Sequence, residues 1–196
     1  MYKRQIFTNY ENVRETMRAK LPFGVAQIGK AFRNEISPRD FIFRVRELEQ
    51  MEMQYFIRPT DQDKSYEEWK DFAWKFLTER LGIKEESLQW HEHNEDERAH
   101  YAKVAHDIYF KYPQGFKELW GTHNRTDYDL SAHQKVSGKE LTYFDDESRE
   151  RFIPYVIELS LIHIFCRFCL SITRWCGYLR GTNDSCSRKY GGSCGS

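Results

Sequence analysis

Charged side chains that could bind a phosphorylated ligand cluster between Gly29 and Glu52. If this stretch is extended, a side-chain period of two places Arg33 and Glu35 on one face of a strand. The same period gives a second row on the next strand, made of Arg44, Arg46, Leu48, Gln50 and Glu52. Guanidiniums bind phosphate oxygens and carboxylates accept from amines, so the pattern suits a ligand with both groups. A solvated face of an antiparallel sheet would give the same alternation.

A β-hairpin would position these side chains. The runs Gln27 to Ile36 and Phe41 to Phe56 suit strands, and Ser37-Pro38-Arg39-Asp40 between them contains turn formers. The sequence therefore predicts two antiparallel strands joined at residues 37–40.

Helical patterns flank the hairpin. A helix capped by Thr8 or Asn9 would carry Tyr10, Val13, Met17 and Leu21 and end at Pro22. After a polar loop over 59–64, Ser65 with Glu68 resembles a capping box. It precedes an apolar stripe typical of core packing, namely Trp69, Phe72, Ala73, Phe76, Leu77 and Leu81, which Gly82 would close.

The remaining elements predict an α+β domain. Ser87 to His91 suits a short strand, and Asn94 with Glu97 predicts a helix that runs through Ala105. Later strands are predicted at Phe116–Thr122, Leu141–Phe144 and Phe152–Glu158. We expect an antiparallel sheet with flanking helices and a small α/β insertion at about 60–110.

The composition excludes several classes of protein. The chain has 196 residues, 40% of them hydrophobic, and a formal net charge of zero, so no global basic field indicates nucleic acid. No apolar stretch is long enough for a membrane span, and the N-terminus does not resemble a secretory signal. All five cysteines follow residue 158, and a body without cysteine suits a reducing cytoplasm.

Metal ligands and catalytic nucleophiles are not predicted. Among the seven histidines, His91, His93, His100 and His106 match no standard zinc spacing. Cys166 and Cys169 form a single C-x-x-C pair, which is weak support for zinc or redox chemistry. No glycine-rich phosphate loop and no nucleophile with a local histidine partner is present.

Several motifs together resemble a known family. Phe32-Arg33-Asn34-Glu35, followed by Arg44-Val45-Arg46-Glu47, is similar to motif 2 of the class II aminoacyl-tRNA synthetases. The flanking residues, from Pro22 to Glu52, resemble the dimeric glycyl-tRNA synthetases. Further matches in the family's order are Lys117–Gly121, Arg125–Leu130 and Phe152–Glu158, so the resemblance covers about Ile6 to Glu158.

The resemblance implies an ATP site on the hairpin. Arg33 would be the catalytic residue, since it meets the α-phosphate where negative charge builds. Glu35 would accept from the adenine amino group, and Arg44 and Arg46 would hold further phosphate oxygens or the glycine carboxylate. The implied ATP-binding set is Arg33, Asn34, Glu35, Phe43, Arg44, Val45, Arg46, Glu47, Leu48, Glu118 and Leu119.

The resemblance also implies a glycine pocket. Glu52 and Glu158 match acids that surround the glycine ammonium, with Arg125 close by. A tight acidic pocket can reject every larger amino acid by steric clash. The implied glycine-binding set is Leu48, Glu49, Gln50, Met51, Glu52, Arg125 and Glu158.

The chain departs from the family pattern at four places. Leu48 stands where the family has a phenylalanine that stacks on adenine. Motif 1 and the anticodon-binding domain are missing, and no motif 3 follows Glu158. One inverted DNA element can encode both Met1 to Gln5 and Leu159 to His163, as a sequencing adapter would. We therefore expect core at 1–58, an insertion at 59–110, core again at 111–158, and an artefactual or disordered tail at 159–196.

The implied function is that of a piece of a glycine–tRNA ligase. The complete enzyme would form glycyl-adenylate from glycine and ATP with Mg²⁺, and would transfer glycine to the tRNA acceptor end. It would be a cytoplasmic homodimer without a membrane partner, and this chain alone would be nearly inactive. The alternatives are a non-catalytic accessory subunit with the same fold, or a prolyl, threonyl or seryl enzyme.

Overall fold

A six-stranded antiparallel sheet forms the centre of the molecule, with strand order β1-β2-β8-β5-β4-β3. The structure is a computed structural model, and it describes residues 5–40, 43–93 and 103–162. The helices are α1 (Gln5–Thr8), α2 (Tyr10–Met17), α3 (Gln62–Lys75) and α4 (Tyr128–Ser137). The strands are β1 (Phe23–Phe32), β2 (Glu47–Ile57), β3 (Leu88–Glu92), β4 (Val104–Tyr112), β5 (Gly115–Thr126), β6 (Tyr143–Phe144), β7 (Arg151–Phe152) and β8 (Tyr155–Ile162). This α+β architecture confirms the predicted fold class.

The predicted hairpin is present, but its strands are shifted. β1 pairs with β2 from Phe23 opposite Phe56 to Phe32 opposite Glu47. Arg33, Glu35, Arg44 and Arg46 were predicted on strands, whereas they lie in the connection between β1 and β2. The reason is Pro38, which cannot donate to a ladder, together with Asp40 at φ 58. Within this connection, Arg39 forms an isolated bridge with Arg44, and the Arg33 N–H donates to the Arg46 carbonyl over 2.9 Å.

Residues 59–110, predicted as an insertion, contribute two strands to the central sheet. β3 and β4 extend the central sheet beyond β5, and all described residues belong to one compact unit. The short strand predicted at Ser87 to His91 is β3. The helix predicted from Asn94 lies outside the described residues over 94–102, and its predicted end was wrong because Val104 and Ala105 begin β4.

The boundary predicted at residue 158 falls within a strand of the central sheet. β8 runs through Ile162 and pairs with β2 on one side and β5 on the other. Leu159 and Leu161 are buried in the same alternation as Ile157, which explains why the strand continues. Residues 163–196 lie outside the part of the chain that the structure describes.

Helix α3 covers one face of the sheet, which we call the apolar face (Met53, Ile108, Trp120, Ile157). These four side chains are almost fully buried. Phe76 packs on Trp120 with ring centroids 5.9 Å apart, and Trp74 stacks on Trp90 at 5.3 Å. The amphipathic stripe was therefore predicted correctly as core. The capping box was wrong, because the helix begins at Gln62 and buries Ser65 inside it.

The other face carries an apolar cluster at one end and polar side chains elsewhere. Helices α1, α2 and α4 meet the sheet end around a cluster that includes Phe7, Tyr10, Phe56, Leu130 and Val156. α2 ends at Met17, which is 73% exposed, so the predicted packing of Met17 was wrong. α4 was not predicted. Among the described residues, no helix is long and apolar enough to cross a membrane.

Candidate active site

Two buried carboxylates lie on neighbouring strands of the face opposite α3. Glu52 on β2 is 4% exposed and Glu158 on β8 is fully buried. Between them lies Gln54, whose Nε2 donates to a Glu52 oxygen and, over 3.0 Å, to Glu158 Oε2. We call this side of the sheet the polar face, defined by Glu52, Gln54, Asp107, His123 and Glu158. Carboxylates this deeply buried require cationic or donor partners.

Arg125 supplies one of these partners. Its Nη1 donates to Glu158 Oε2 over 2.7 Å, while its Nε and Nη2 donate to Asp129 on α4 over 2.6 and 2.8 Å. β8 and β5 pair Ile157 with Asn124 but Val156 with Thr126, so Arg125 is the extra residue of a β-bulge. The bulge changes the direction of this side chain. Arg125 is 4% exposed, and its guanidinium lies 5.7 Å from the Phe7 ring centroid.

A small pocket opens beside Glu52. Its lining is shared by α1, β1 and β2 and consists of Ile6, Gln27, Gly29, Lys30, Ala31, Gln50 and Glu52. Gln54 is fully buried, and its Oε1 has no hydrogen-bond partner among the described residues. A buried acceptor without a partner is costly unless a ligand donates to it. Glu52, Glu158 and Gln54 Oε1 therefore form a set of acceptors suited to an ammonium group.

Two histidines continue the polar network across the sheet. His123 on β5 places Nδ1 3.4 Å from Glu158 Oε1 and Nε2 3.3 Å from Asp107 Oδ1. Asp107 on β4 also lies 2.6 Å from His93 Nε2 through its second oxygen. We call this series, from His93 through Asp107 and His123 to Glu158, the histidine–carboxylate chain.

The histidine–carboxylate chain shifts the pKa values of its members. Burial disfavours the charged form of His123, but hydrogen bonds with Asp107 and Glu158 outweigh it and raise the pKa of His123 to about 9. Burial likewise opposes ionisation of Asp107, yet hydrogen bonds with His123 and His93 lower the pKa of Asp107. Both groups are therefore charged near neutral pH.

A second β-bulge brings Glu118 to the polar face. β4 and β5 pair Ile108 with Trp120 but Tyr109 with Glu118, so Leu119 is the extra residue. Burial, and then the charge of Asp107, raise the pKa of Glu118. The charge of Arg33 acts in the opposite direction on the same group. Arg33 is thus near the polar face, although its own side chain is exposed.

The connection between β1 and β2 is held mainly by contacts of its own. Arg44 Nε lies 3.6 Å from Glu35 Oε2, and Arg46 Nε donates to the Glu35 carbonyl over 3.0 Å. Val45 packs on Ala31 and Leu48. Other predicted residues here are Asn34, which is exposed, Phe43, which contacts the Tyr112 ring at 4.8 Å, and Glu47, which pairs with Lys30.

The strand residues predicted for glycine divide between the two faces. Alternation along β2 places Leu48, Gln50 and Glu52 together on the polar face. Glu49 and Met51 point to the other side, where Met51 is buried in the same row as Met53. Glu49 and Met51 therefore have the opposite orientation to Glu52, and their assignment to the glycine pocket stays a prediction. Leu119 is 7% exposed at its bulge.

The sequence reasoning missed Gln54, Asp107, His123 and Ser160. Gln54 and Ser160 share the alternation of Glu52 and Glu158, which could have identified them, but Ser160 had been assigned to the tail. His106, one of the histidines weighed for zinc, lies instead on the apolar face beside Tyr66. His93, Asp107 and His123 place potential ligand atoms within 4.8 Å of one another. Since their facing atoms already pair with each other, we interpret them as a hydrogen-bonded chain and assign no metal.

Comparisons with known proteins agree with this architecture. The family model described as "tRNA synthetase class II core domain (G, H, P, S and T)" matches residues 5–174. The chain is 53% identical to the glycine–tRNA ligase of Treponema denticola, over 79% of this chain and 34% of that protein. It is 54% identical to the glycine–tRNA ligase of Chlorobaculum tepidum, over 79% of this chain and 33% of that protein.

A solved structure shares the fold. Prolyl-tRNA synthetase of Giardia lamblia, in complex with prolyl-adenylate, aligns with TM-score 0.58 and 19% identity, over 72% of this chain and 26% of that chain. The chain spans about a third of the length of the curated relatives above. The antiparallel sheet, the order of the motifs and the family match lead to one conclusion: the chain belongs to the class II tRNA synthetase core domain family.

Proposed function

We propose that this chain is the glycine- and ATP-binding part of a glycine–tRNA ligase. The observation that carries the proposal is the buried acceptor set of Glu52, Glu158 and the unpartnered Gln54 Oε1 on the polar face. The similarity of the chain to proteins named glycine–tRNA ligase supports glycine as the substrate. In the proposed reaction, the glycine carboxylate attacks the α-phosphate of ATP and releases pyrophosphate, and glycine then passes to the tRNA acceptor end.

The glycine ammonium would bind at the acceptor set. An ammonium carries three donors, which match one oxygen each from Glu52, Glu158 and Gln54. Arg125 holds Glu158 from behind, so the carboxylate is already ionised and oriented before glycine arrives. A pocket this closely packed discriminates by exclusion, because a side chain larger than hydrogen has to displace buried atoms.

ATP would bind along the connection between β1 and β2. Arg33 would stabilise the charge that develops on the α-phosphate, and Glu35, held by Arg44 and Arg46, would accept from adenine. Glu118 is the half-buried acid whose charge interacts with that of Arg33, so we assign it to the phosphate end of this site. Mg²⁺ would neutralise charge on the phosphates. The remaining members of the ATP set, including Asn34, Phe43, Val45, Glu47, Leu48 and Leu119, would shape the same site.

Partners and location follow from the same proposal. We infer that the protein acts on the acceptor end of tRNA, works as a homodimer and is cytoplasmic. The predicted division at residues 58, 110 and 158 stays a sequence-based proposal for how the family pattern maps on the chain.

Exchange of pyrophosphate into ATP tests the function. In a chimera, residues 6–158 of this chain replace the matching segment of the Treponema denticola glycine–tRNA ligase. We expect glycine-dependent exchange that Glu52→Gln suppresses, since Glu52 lines the pocket. Lys135→Ala, an exposed change on α4, is the matched control and should leave exchange unchanged.

The alternatives give different results in the same assay. Exchange that depends on proline, threonine or serine instead of glycine would assign the pocket to another class II enzyme. A folded chimera without exchange for any of these amino acids would favour a non-catalytic subunit.

A further inference from the structure

We propose that His123 is a positioning residue, present as an imidazolium, that fixes Glu158 from the side opposite Arg125. This role deepens the proposed function, on which its glycine-binding part rests. Each oxygen of Glu158 then has its own cationic partner: Oε2 accepts from Arg125 Nη1 over 2.7 Å, and Oε1 faces His123 Nδ1 at 3.4 Å.

The charge of His123 follows from its neighbours. A neutral imidazole donates from one nitrogen only, whereas a carboxylate only accepts. Both ring nitrogens of His123 face carboxylates, since Nδ1 meets Glu158 and Nε2 meets Asp107. Only the doubly protonated ring satisfies both contacts. The side chains of Asp107 and Glu158 are 3% and 0% exposed, so water is excluded as their alternative partner.

The rest of the histidine–carboxylate chain holds His123 in place. Asp107 receives His93 on its second oxygen at 2.6 Å, so the Asp107 carboxylate is fixed between two rings. Close packing adds to this. A Cβ at Gly121 would lie 2.9 Å from Ser160 Oγ, 3.1 Å from His123 Cε1 and 3.2 Å from Asp107 Oδ1. The absence of a side chain at Gly121 therefore allows Ser160, His123 and Asp107 to pack closely around it.

The charges around His123 favour its protonation. The titratable groups that face it are His93, Asp107, Glu118 and Glu158, and Arg125 binds the other oxygen of Glu158. Among them, Asp107 and Glu158 make direct contact, and the pKa of His123 is raised accordingly. Loss of the His123 charge would leave one of the two carboxylates, Glu158 or Asp107, without its His123 donor, so the fixed position of Glu158 would be weakened and the glycine ammonium would bind more weakly.

The charge state is measured first, on the 196-residue chain itself. Long-range proton–nitrogen spectra of labelled histidines should show both His123 nitrogens protonated at pH 7.5. His106 is the internal control, because burial lowers its pKa and its Nδ1 needs only the Tyr66 hydroxyl. Asp107→Asn should shift the titration of His123 to lower pH. A neutral His123 ring at pH 7.5 would overturn the proposal whether or not glycine binds.

Glycine binding is measured second, by equilibrium dialysis of labelled glycine with the same chain. We expect His123→Gln to raise the Kd for glycine about tenfold at pH 7.5, and the matched variant His106→Gln to leave it unchanged. Wild-type affinity in a folded His123→Gln variant would overturn the positioning role. If the wild-type chain binds no glycine while His123 is charged, the proposed glycine site fails and the ion pair of His123 with Glu158 stands.

Discussion

The two faces of the central sheet are built from alternate residues of the same strands, yet they are buried by different means. On the apolar face, Met53, Ile108, Trp120 and Ile157 are almost fully buried, and Ile157 packs with Tyr66 of α3. Immediately adjacent to Ile108, Trp120 and Ile157 in sequence, Asp107, Gly121 and Glu158 belong to the polar face. Burial on the first face removes apolar area from water, whereas burial on the second desolvates charges.

The comparison separates two contributions: the apolar face stabilises the fold, and under the proposed function the polar face binds the ligand. Replacement of buried ion pairs by apolar side chains is often neutral or stabilising, so stability alone does not explain Glu52, Glu158 and Arg125. Their contacts instead leave an acceptor, Gln54 Oε1, ready for a donor. Under the proposed function, the polar face would serve binding at some cost in stability.

The largest expected effect is a loss of activity with no change in stability. In the chimera, Arg33→Ala should lower kcat/KM for pyrophosphate exchange by about 10³-fold, or roughly 4 kcal/mol, because a fixed donor to the α-phosphate is lost. Arg33 is exposed, so the urea midpoint should not move. An unchanged exchange rate would contradict the phosphate role of Arg33.

The next effect is a loss of stability caused by a substitution on the apolar face, outside the candidate site. Ile157→Ala on the apolar face should lower the free energy of unfolding by about 3 kcal/mol, since Ile157 is fully buried and a cavity remains. Urea denaturation of the 196-residue chain measures this change. Val136→Ala on α4, where Val136 is 89% exposed, is the matched control and should cost less than about 0.5 kcal/mol. Equal losses for both variants would contradict the assignment of the core.

The third effect is a pH dependence of stability that His123 contributes on the polar face. His123 has a folded pKa of about 9, above its unfolded value, so its contribution to stability is complete below about pH 6.5 and is lost as the pH rises through 9. The full shift would correspond to about 3 kcal/mol, which we reduce to about 2 because His123 interacts strongly with Asp107 and Glu158. Wild type should lose this amount relative to His123→Gln between pH 6.5 and 9.5 in urea denaturation. If the stability of wild type and of His123→Gln changed equally with pH, the ion pairs assigned to His123 would be contradicted.

The smallest effect is a pH dependence of stability with the opposite sign, which His106 contributes on the apolar face. Burial, followed by the charge of Lys70, lowers the pKa of His106, so its contribution is present above about pH 6.5 and is lost as the pH falls below that value. Thermal unfolding at pH 7.5 and pH 5 should show a smaller loss for His106→Gln than for wild type. A larger loss in the variant would show that His106 is charged in the folded protein.

Much of the fold was predictable from local patterns. Alternation identified the hairpin and the strands of β5 and β8, and the apolar stripe identified α3 as core. The ends of the elements were not predictable, since the stop of β1 at Phe32 depends on where pairing with β2 ceases. The continuation of β8 through Ile162 depends on two neighbouring strands that are distant in sequence.

The site was predictable only in part. Glu52, Glu158 and Arg125 were found by resemblance, and the structure brings Glu158 and Arg125 into direct contact. Asp107 and His123 were missed because their pairing joins residues of different strands, which no local spacing reveals. Met51 and Glu49 were included because they are adjacent to Glu52 in sequence, although alternation points them away.

Both bulges of the sheet lie on β5, at Leu119 and Arg125. Each extra residue offsets the side-chain phase of the strand, and between them His123 keeps the phase that faces Glu158. Deletion of a residue between the bulges, such as Thr122, would invert the orientation of every position on one side of the deletion, whereas deletion of either extra residue would restore regular alternation. β5 should therefore tolerate many substitutions and very few length changes, which makes single-residue deletion scanning of this strand a sensitive probe of the whole site.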